Sequence, residues 1–286
     1  MRILIGCLAL EEGVAFDLNT TPQKGAIASA RAPFDHVTLI DSGLLTADEI
    51  DRLRPRVYER WEELDEEEDA ASIQFIKVHD AYSLTPLGEP LLAGRRAAMG
   101  AILIVRDPRD VAASLANHNQ STLDAAIDLM NDVQAADSKK PARFYDQLPQ
   151  KLWTWSAHAA SWLNQADIPV HLVRYEDLKQ DTAGVFRDAM SFAGRAITQK
   201  EAERAARMAD FHVLQDQERV LGFSEKPPKA KVFFRRGETQ GWRDELTALQ
   251  VERLESAHET MMERLGYTMS GPTVRQGEPE AARARR

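Results

Sequence analysis

Apolar and polar positions follow two rhythms along the chain. Short apolar runs stand at 73–78 (Ile-Gln-Phe-Ile-Lys-Val), 101–105 (Ala-Ile-Leu-Ile-Val) and 170–175 (Val-His-Leu-Val-Arg-Tyr). Each predicts a strand, and the unbroken run at 101–105 is of the kind buried on both faces in a parallel sheet. Helical spacing fills the intervals. Asp107-Pro108 predicts a helix start, with Asp as the cap and Pro at the first helical position. Further helices are predicted over 148–163, where Leu152, Trp155, His158, Ala159 and Trp162 share one face, and over 182–193, 198–208 and 246–265. Residues 1–10 read as a buried amphipathic helix. Strands alternating with helices imply an α/β fold, three layers α/β/α around a central parallel sheet. In such sheets ligands bind beyond the carboxyl ends of the strands.

Composition narrows this picture. A chain of 286 residues holds one large domain or two small ones. It is read as a single domain over 1–268 followed by a disordered tail over 269–286, where Gly271-Pro272, Gly277 and Pro279 precede an Arg-rich end. An apolar fraction of 43% with 28% charged residues excludes a mainly disordered or fibrous chain. The acidic run 62–69, broken only by Leu64, reads as a solvated helix end or loop. The sole cysteine, Cys7, excludes an internal disulfide framework and a cysteine-rich zinc site. A net charge of −9 argues against nucleic acid as a partner, yet leaves room for a local arginine cluster around a small anion. No apolar run reaches the roughly 18 residues of a membrane helix. Glu11-Glu12 follow the first apolar run directly, which does not suit a signal peptide. A cytoplasmic protein with no membrane partner is expected.

The candidate chemistry lies where the strands end. Lys77 and His79 share a strand face. His79 is a candidate proton acceptor and Lys77 a candidate stabiliser of negative charge, although a structural histidine is the commoner case. Arg106 stands just before the predicted helix start, a combination suited to an anion, and Ser114 lies about 9–10 Å along that helix. A surface Arg–Asp network explains the same spacing. Tyr175 suits either a core position or a base contact. Between Phe233 and Arg243, Arg235-Arg236-Gly237 offers paired guanidinium groups before a glycine, which a basic surface loop would also show.

These stretches, in this order, resemble the sulfotransferases that use 3′-phosphoadenosine 5′-phosphosulfate (PAPS). Residues 106–114, Arg-Asp-Pro-Arg-Asp-Val-Ala-Ala-Ser, look like that family's 3′-phosphate motif. Residues 233–247 are similar to its C-terminal motif, residues 173–178 to the strand with its adenine-contacting tyrosine, and Lys77-Val78-His79 to its catalytic Lys-x-His. The resemblance implies a P-loop nucleoside-triphosphate-hydrolase-like sulfotransferase fold. It assigns the 3′-phosphate to Arg106, Ser114 and Arg235 with the backbone of Arg236 and Gly237. Adenine falls to Tyr175 and Phe211, the general base to His79 and transition-state charge to Lys77. PAPS is the implied co-substrate, with adenosine 3′,5′-bisphosphate (PAP) as product, no metal, and a small-molecule acceptor.

One departure stands out. The family opens with a strand and a Tyr-Pro-Lys-Ser-Gly loop for the 5′-phosphosulfate, and no such segment occurs here. Pro22-Gln23-Lys24-Gly25 has neither the Thr or Ser after the glycine nor the following helix. The first strand and loop are therefore expected to be missing, with a start codon placed too far downstream as the favoured explanation over a degenerate relative. Gln240-Gly241-Trp242 also stands where Gly-Asp-Trp is common. Two other readings are carried: a truncated or degenerate relative that binds PAP without turnover, and, less favoured, a nucleotide-dependent kinase, which would need a Lys-Ser/Thr phosphate loop. The acceptor is not readable, although 20–42, 51–69 and 121–147 are expected to shape its pocket. The oligomeric state is open, a homodimer being one option.

Overall fold

The computed structural model describes residues 1–19, 27–61, 73–137, 146–226 and 230–270. The Pro22–Gly25 stretch, the acidic run 62–69 and the tail beyond 270 lie outside these residues.

Two parallel strands form the centre. β1 (Ala101–Val105) pairs with β4 (Val170–Arg174), Ala101 opposite Val170 through to Val105 opposite Arg174. Leu103 and Val105 turn to one face and pack against Ala159 and Trp162 of α6 (Trp155–Asn164) and Met261 and Met262 of α11 (Ala248–Arg264). His171 belongs to the other face and stacks on Phe192 of α8 (Thr182–Phe192), ring centroids 5.2 Å apart. Helices thus pack on both sides, but 101–105 is not buried on both faces as expected, since Ile104 is 45% exposed. Beside α8, a second core joins α1 (Arg2–Leu8), α9 (Gln199–Met208) and α10 (Phe211–Leu221) through Leu4, Cys7, Phe186, Met190, Ala205 and Leu214. Burial raises the Cys7 thiol to about 11, so it behaves as a small apolar side chain.

Local chemistry sets several boundaries. α4 (Pro108–Asn119) begins at Asp107, whose side chain accepts from Arg109 N at 2.9 Å. Thr198 and Glu201 form a capping box on α9, and Thr247 and Gln250 one on α11.

Three expectations are corrected. The run 73–78 forms no strand: Lys77 alone bridges Ile27 in parallel, with Ala28 N donating to Lys77 O at 2.8 Å. Phe75, Ile76 and Val78 instead pack into different helical clusters, which accounts for an apolar run without a ladder. The predicted helix over 148–163 begins only at Trp155, capped by Thr154. Ahead of it, β3 (Gln150–Lys151) pairs antiparallel with β2 (Ala136–Asp137), and Trp153 takes φ +55°, which no helix tolerates. The third strand is also one residue shorter than expected, because Tyr175 opens the short helix α7 (Tyr175–Gln180). Trp162 is a core residue, and Trp155 packs against His258 and Tyr267.

Candidate functional site

β1 ends at Val105, and the next residue, Arg106, turns into a cavity of about 380 Å³. Ser114, Tyr175, Phe211, Arg235, Arg236 and Gly237 line the same cavity. Seven residues expected to hold a nucleotide bisphosphate are thereby brought together from both halves of the chain.

Arg106 is held but not saturated. Its guanidinium lies 4.5 Å from the centroid of the Tyr175 ring, and Nη2 donates to Glu238 O at 2.7 Å. Its Nε is buried and has no hydrogen-bond partner among the described residues. The neighbouring arginine has a different fate. Arg109 is buried, with Asp107 on Nε and Nη2, Glu255 on Nη1 and the Trp242 ring 4.2 Å away. It faces a separate crevice of about 310 Å³, so the Arg–Asp network suspected from the sequence is built by Arg109 and leaves Arg106 to the cavity.

Tyr175 and Phe211 form the apolar walls. Tyr175 donates through Oη to Gly237 O at 3.3 Å, and burial raises its phenol above the ordinary value. Phe211 opens α10 after its cap Asp210 and lies against Gly237. Gly237 has φ +62°, and a Cβ there would come within 2.2 Å of the Phe211 ring. Glycine is therefore required both by backbone conformation and by ring packing. Lys179, which the motifs do not include, places Nζ 5.6 Å from the Phe211 centroid and also lines the cavity.

The 233–243 loop is fastened at both ends. Glu218 of α10 accepts from Phe233 N and Phe234 N at 2.7 and 2.8 Å, and Gln215 donates to Phe234 O at 2.8 Å. Asp110 of α4 accepts from Gln240 N and Trp242 N at 2.8 and 2.9 Å. Burial, the largest influence, raises the Asp110 carboxyl despite those bonds. Gln240 takes a left-handed φ of +63°, a conformation that asks more of Gln than of glycine. Between these fastenings, Arg235 forms a two-pronged ion pair with Glu245, at 2.8 and 2.9 Å. Arg236 reaches the same carboxylate at 3.2 Å.

Lys77 and His79 do not line this cavity. His79 is half-buried, and its Nδ1 lies 2.9 Å from Gln150 Oε1. A carboxamide oxygen only accepts, so Nδ1 carries the proton and Nε2 keeps its lone pair. Gln150, fully buried, is oriented by donating through Nε2 to Gln147 Oε1 at 2.9 Å. The next residue, Asp80, is clamped by buried Arg54 at 2.6 and 3.1 Å and by Lys151 N at 2.9 Å. Desolvation first, and then the Lys77 charge, hold the His79 imidazole below its ordinary 6.5, with Gln150 opposing. Desolvation and the charge of Arg2 likewise lower the Lys77 ammonium. Arg2 begins α1, whose neighbours Met1, Ile3 and Leu4 line the cavity.

Residues 61–266 match the family model described as the sulfotransferase domain. Rat (Rattus norvegicus) sulfotransferase 2A6 is 26% identical over 121 residues, 38% of this chain and 40% of that protein. Luciferin sulfotransferase of Photinus pyralis is 23% identical over 189 residues, 63% of this chain and 48% of that protein. The chain thus spans less than half the length of these curated relatives. Among solved structures, retinol dehydratase in complex with androsterone and the inactive cofactor PAP superposes with a TM-score of 0.50 at 19% identity, covering 70% of this chain and 56% of that one. A mouse sulfotransferase complexed with PAP gives 0.50 at 18% identity, covering 71% and 69%. At these identities the likeness shows a shared fold, the α/β fold of the sulfotransferases.

Proposed function

Because the chain belongs to the sulfotransferase domain family, we propose that it moves a sulfonate group from PAPS to a hydroxyl or amine of a small-molecule acceptor. The observation that carries this reading is the convergence of Arg106, Ser114, Tyr175, Phe211 and Arg235–Gly237 on one cavity. The Arg106 side chain lining the cavity suits an entering phosphate, and the Tyr175 and Phe211 rings suit a purine. In the proposed reaction His79 Nε2 takes the acceptor proton as the acceptor atom bonds to sulfur. The sulfur–oxygen bond to the phosphate breaks, and PAP leaves with that electron pair. Lys77 offsets the charge that develops on the transferring group.

Transfer of radiolabelled sulfonate from PAPS to a panel of phenols, alcohols and amines tests this reading, with PAP binding measured alongside by calorimetry. His79→Ala is expected to lose about 10²–10⁴-fold in transfer while keeping PAP affinity. Arg106→Ala is expected to weaken PAP binding by tenfold or more. Unchanged transfer in His79→Ala removes His79 from the mechanism, and unchanged binding in Arg106→Ala removes the cavity from it. A second reading, PAP binding without turnover, is favoured by the position of Lys77 and His79 outside the cavity lining. PAP binding with no transfer, and no gain in affinity from the 5′-sulfonate, selects it.

A further inference from the structure

The guanidinium groups of Arg235 and Arg236 both line the cavity, and both are engaged by the same carboxylate while keeping side-chain exposures of 33% and 40%. One carboxylate, Glu245, takes both prongs of Arg235 at 2.8 and 2.9 Å and reaches Arg236 Nη1 at 3.2 Å. Glu245 itself lines the cavity and keeps a side-chain exposure of 20%. Its position just past the short 3-10 turn Gly241–Asp244 is fixed by Glu245 N donating to Trp242 O at 3.1 Å. Its planar, two-oxygen grip on a guanidinium is the same geometry a phosphate uses.

We infer that Glu245 is an internal stand-in for the ligand phosphate, an affinity-setting residue that an entering phosphomonoester must displace from Arg235 and Arg236. This rests on the cavity being the bisphosphate site. Two adjacent guanidinium groups repel each other, and Glu245 neutralises that repulsion while the cavity is free of ligand. A phosphomonoester brings a charge of about −1.5 to −2 and three acceptor oxygens, so it outcompetes a single carboxylate for both arginines. The partial exposure of Glu245 gives the displaced side chain a way into water. The exchange subtracts the lost ion pair from the binding energy. Ligand is thus held less tightly than the bare arginine pair would hold it, and a bisphosphate product leaves faster. A nucleotide with no 3′-phosphate leaves the pair undisturbed, so Glu245 acts on the 3′-phosphate contribution alone.

The test is calorimetric titration of the wild-type chain, Glu245→Gln, Glu245→Asp and Arg235→Ala with PAP, and in parallel with AMP. Glu245→Gln is expected to bind PAP about tenfold more tightly, with AMP affinity changed by less than about twofold. Glu245→Asp, one methylene shorter and unable to span both arginines, keeps the charge and gains less; it carries the test if the Gln variant does not fold. Arg235→Ala is expected to lose PAP affinity. Unchanged or weaker PAP binding in both Glu245 variants, with wild type binding normally, overturns the stand-in role and leaves the site assignment intact. Equal gains for AMP and PAP also overturn it. No PAP binding by the wild type or by any variant removes the bisphosphate site itself, and the stand-in with it. Binding that emerges only in the Glu245 variants supports both.

Discussion

A neutral carboxamide, Gln150, stands where a carboxylate would be expected to orient a basic histidine. Its oxygen receives His79 Nδ1–H at 2.9 Å without adding charge. The imidazole therefore keeps the depressed pKa that burial and Lys77 impose. If His79 is the base, the acid limb of the activity profile lies below pH 6.5, the ordinary imidazole value. Gln150→Glu is expected to stabilise the imidazolium and move that limb toward neutrality, with a parallel shift in the His79 ring resonances during a proton NMR titration. Activity that falls evenly at every pH, with the resonances unmoved, reduces Gln150 to a packing residue. The tautomer is invisible in the sequence, because Gln150 stands far from His79 along the chain and falls in a segment whose spacing suggests a helix. Glu245 was hidden for a different reason: it lies within the 233–247 stretch, but nothing in the sequence announces that two arginines share its carboxylate.

α10 carries more of the site than its single motif residue, Phe211, suggests. Buried Glu218 accepts both Phe233 N and Phe234 N and so hangs the Arg235–Gly237 segment from this helix. Glu218→Ala strands the buried Phe234 N–H and the part-buried Phe233 N–H and is expected to cost about 1–3 kcal/mol in urea unfolding; Glu218→Gln, which retains one acceptor, is expected to lose less. Equal stability of all three proteins removes Glu218 as the anchor. Elements with local causes were legible in the sequence. Asp107-Pro108 fixes the start of α4 through its own cap, and the run 101–105 needs no distant partner to be recognised as a strand, although only Leu103 and Val105 of it are buried. Elements with distant causes were not. Residues 73–78 have a strand's composition but only one bridging partner, and the helix expected from 148 is held off by the pairing of Gln150–Lys151 with Ala136–Asp137. The cavity residues were legible as motifs; the fastenings Asp110, Gln215 and Glu218 were not, since each acts on backbone N–H or C=O groups that carry no sequence signature.

At the scale of the molecule, acid stability turns on the core histidine of α11. His258 is 2% exposed, its Nδ1 lies 2.9 Å from Ser156 Oγ, and its Nε2 has no hydrogen-bond partner among the described residues. Burial lowers its pKa from 6.5 to about 4. The folded chain holds this ring neutral while the unfolded chain protonates it, so its share of stability is full above pH 6.5 and is lost as pH falls toward 4. Near pH 5 the loss is about 2 kcal/mol, read as a lower Tm than at pH 7. His258→Phe is expected to flatten that dependence, and an unaltered slope assigns it to other groups. The Asp110 fastening has a kinetic consequence of its own. Its partners Gln240 and Trp242 follow it by 130 and 132 residues. At 5–20 residues per second a ribosome needs roughly 7–26 s to cover that interval. Throughout it the nascent chain carries Arg106 and Ser114 without the segment that closes over them. A nucleotide in the surrounding solution can therefore select among finished molecules but has no means of guiding the early stages of their folding.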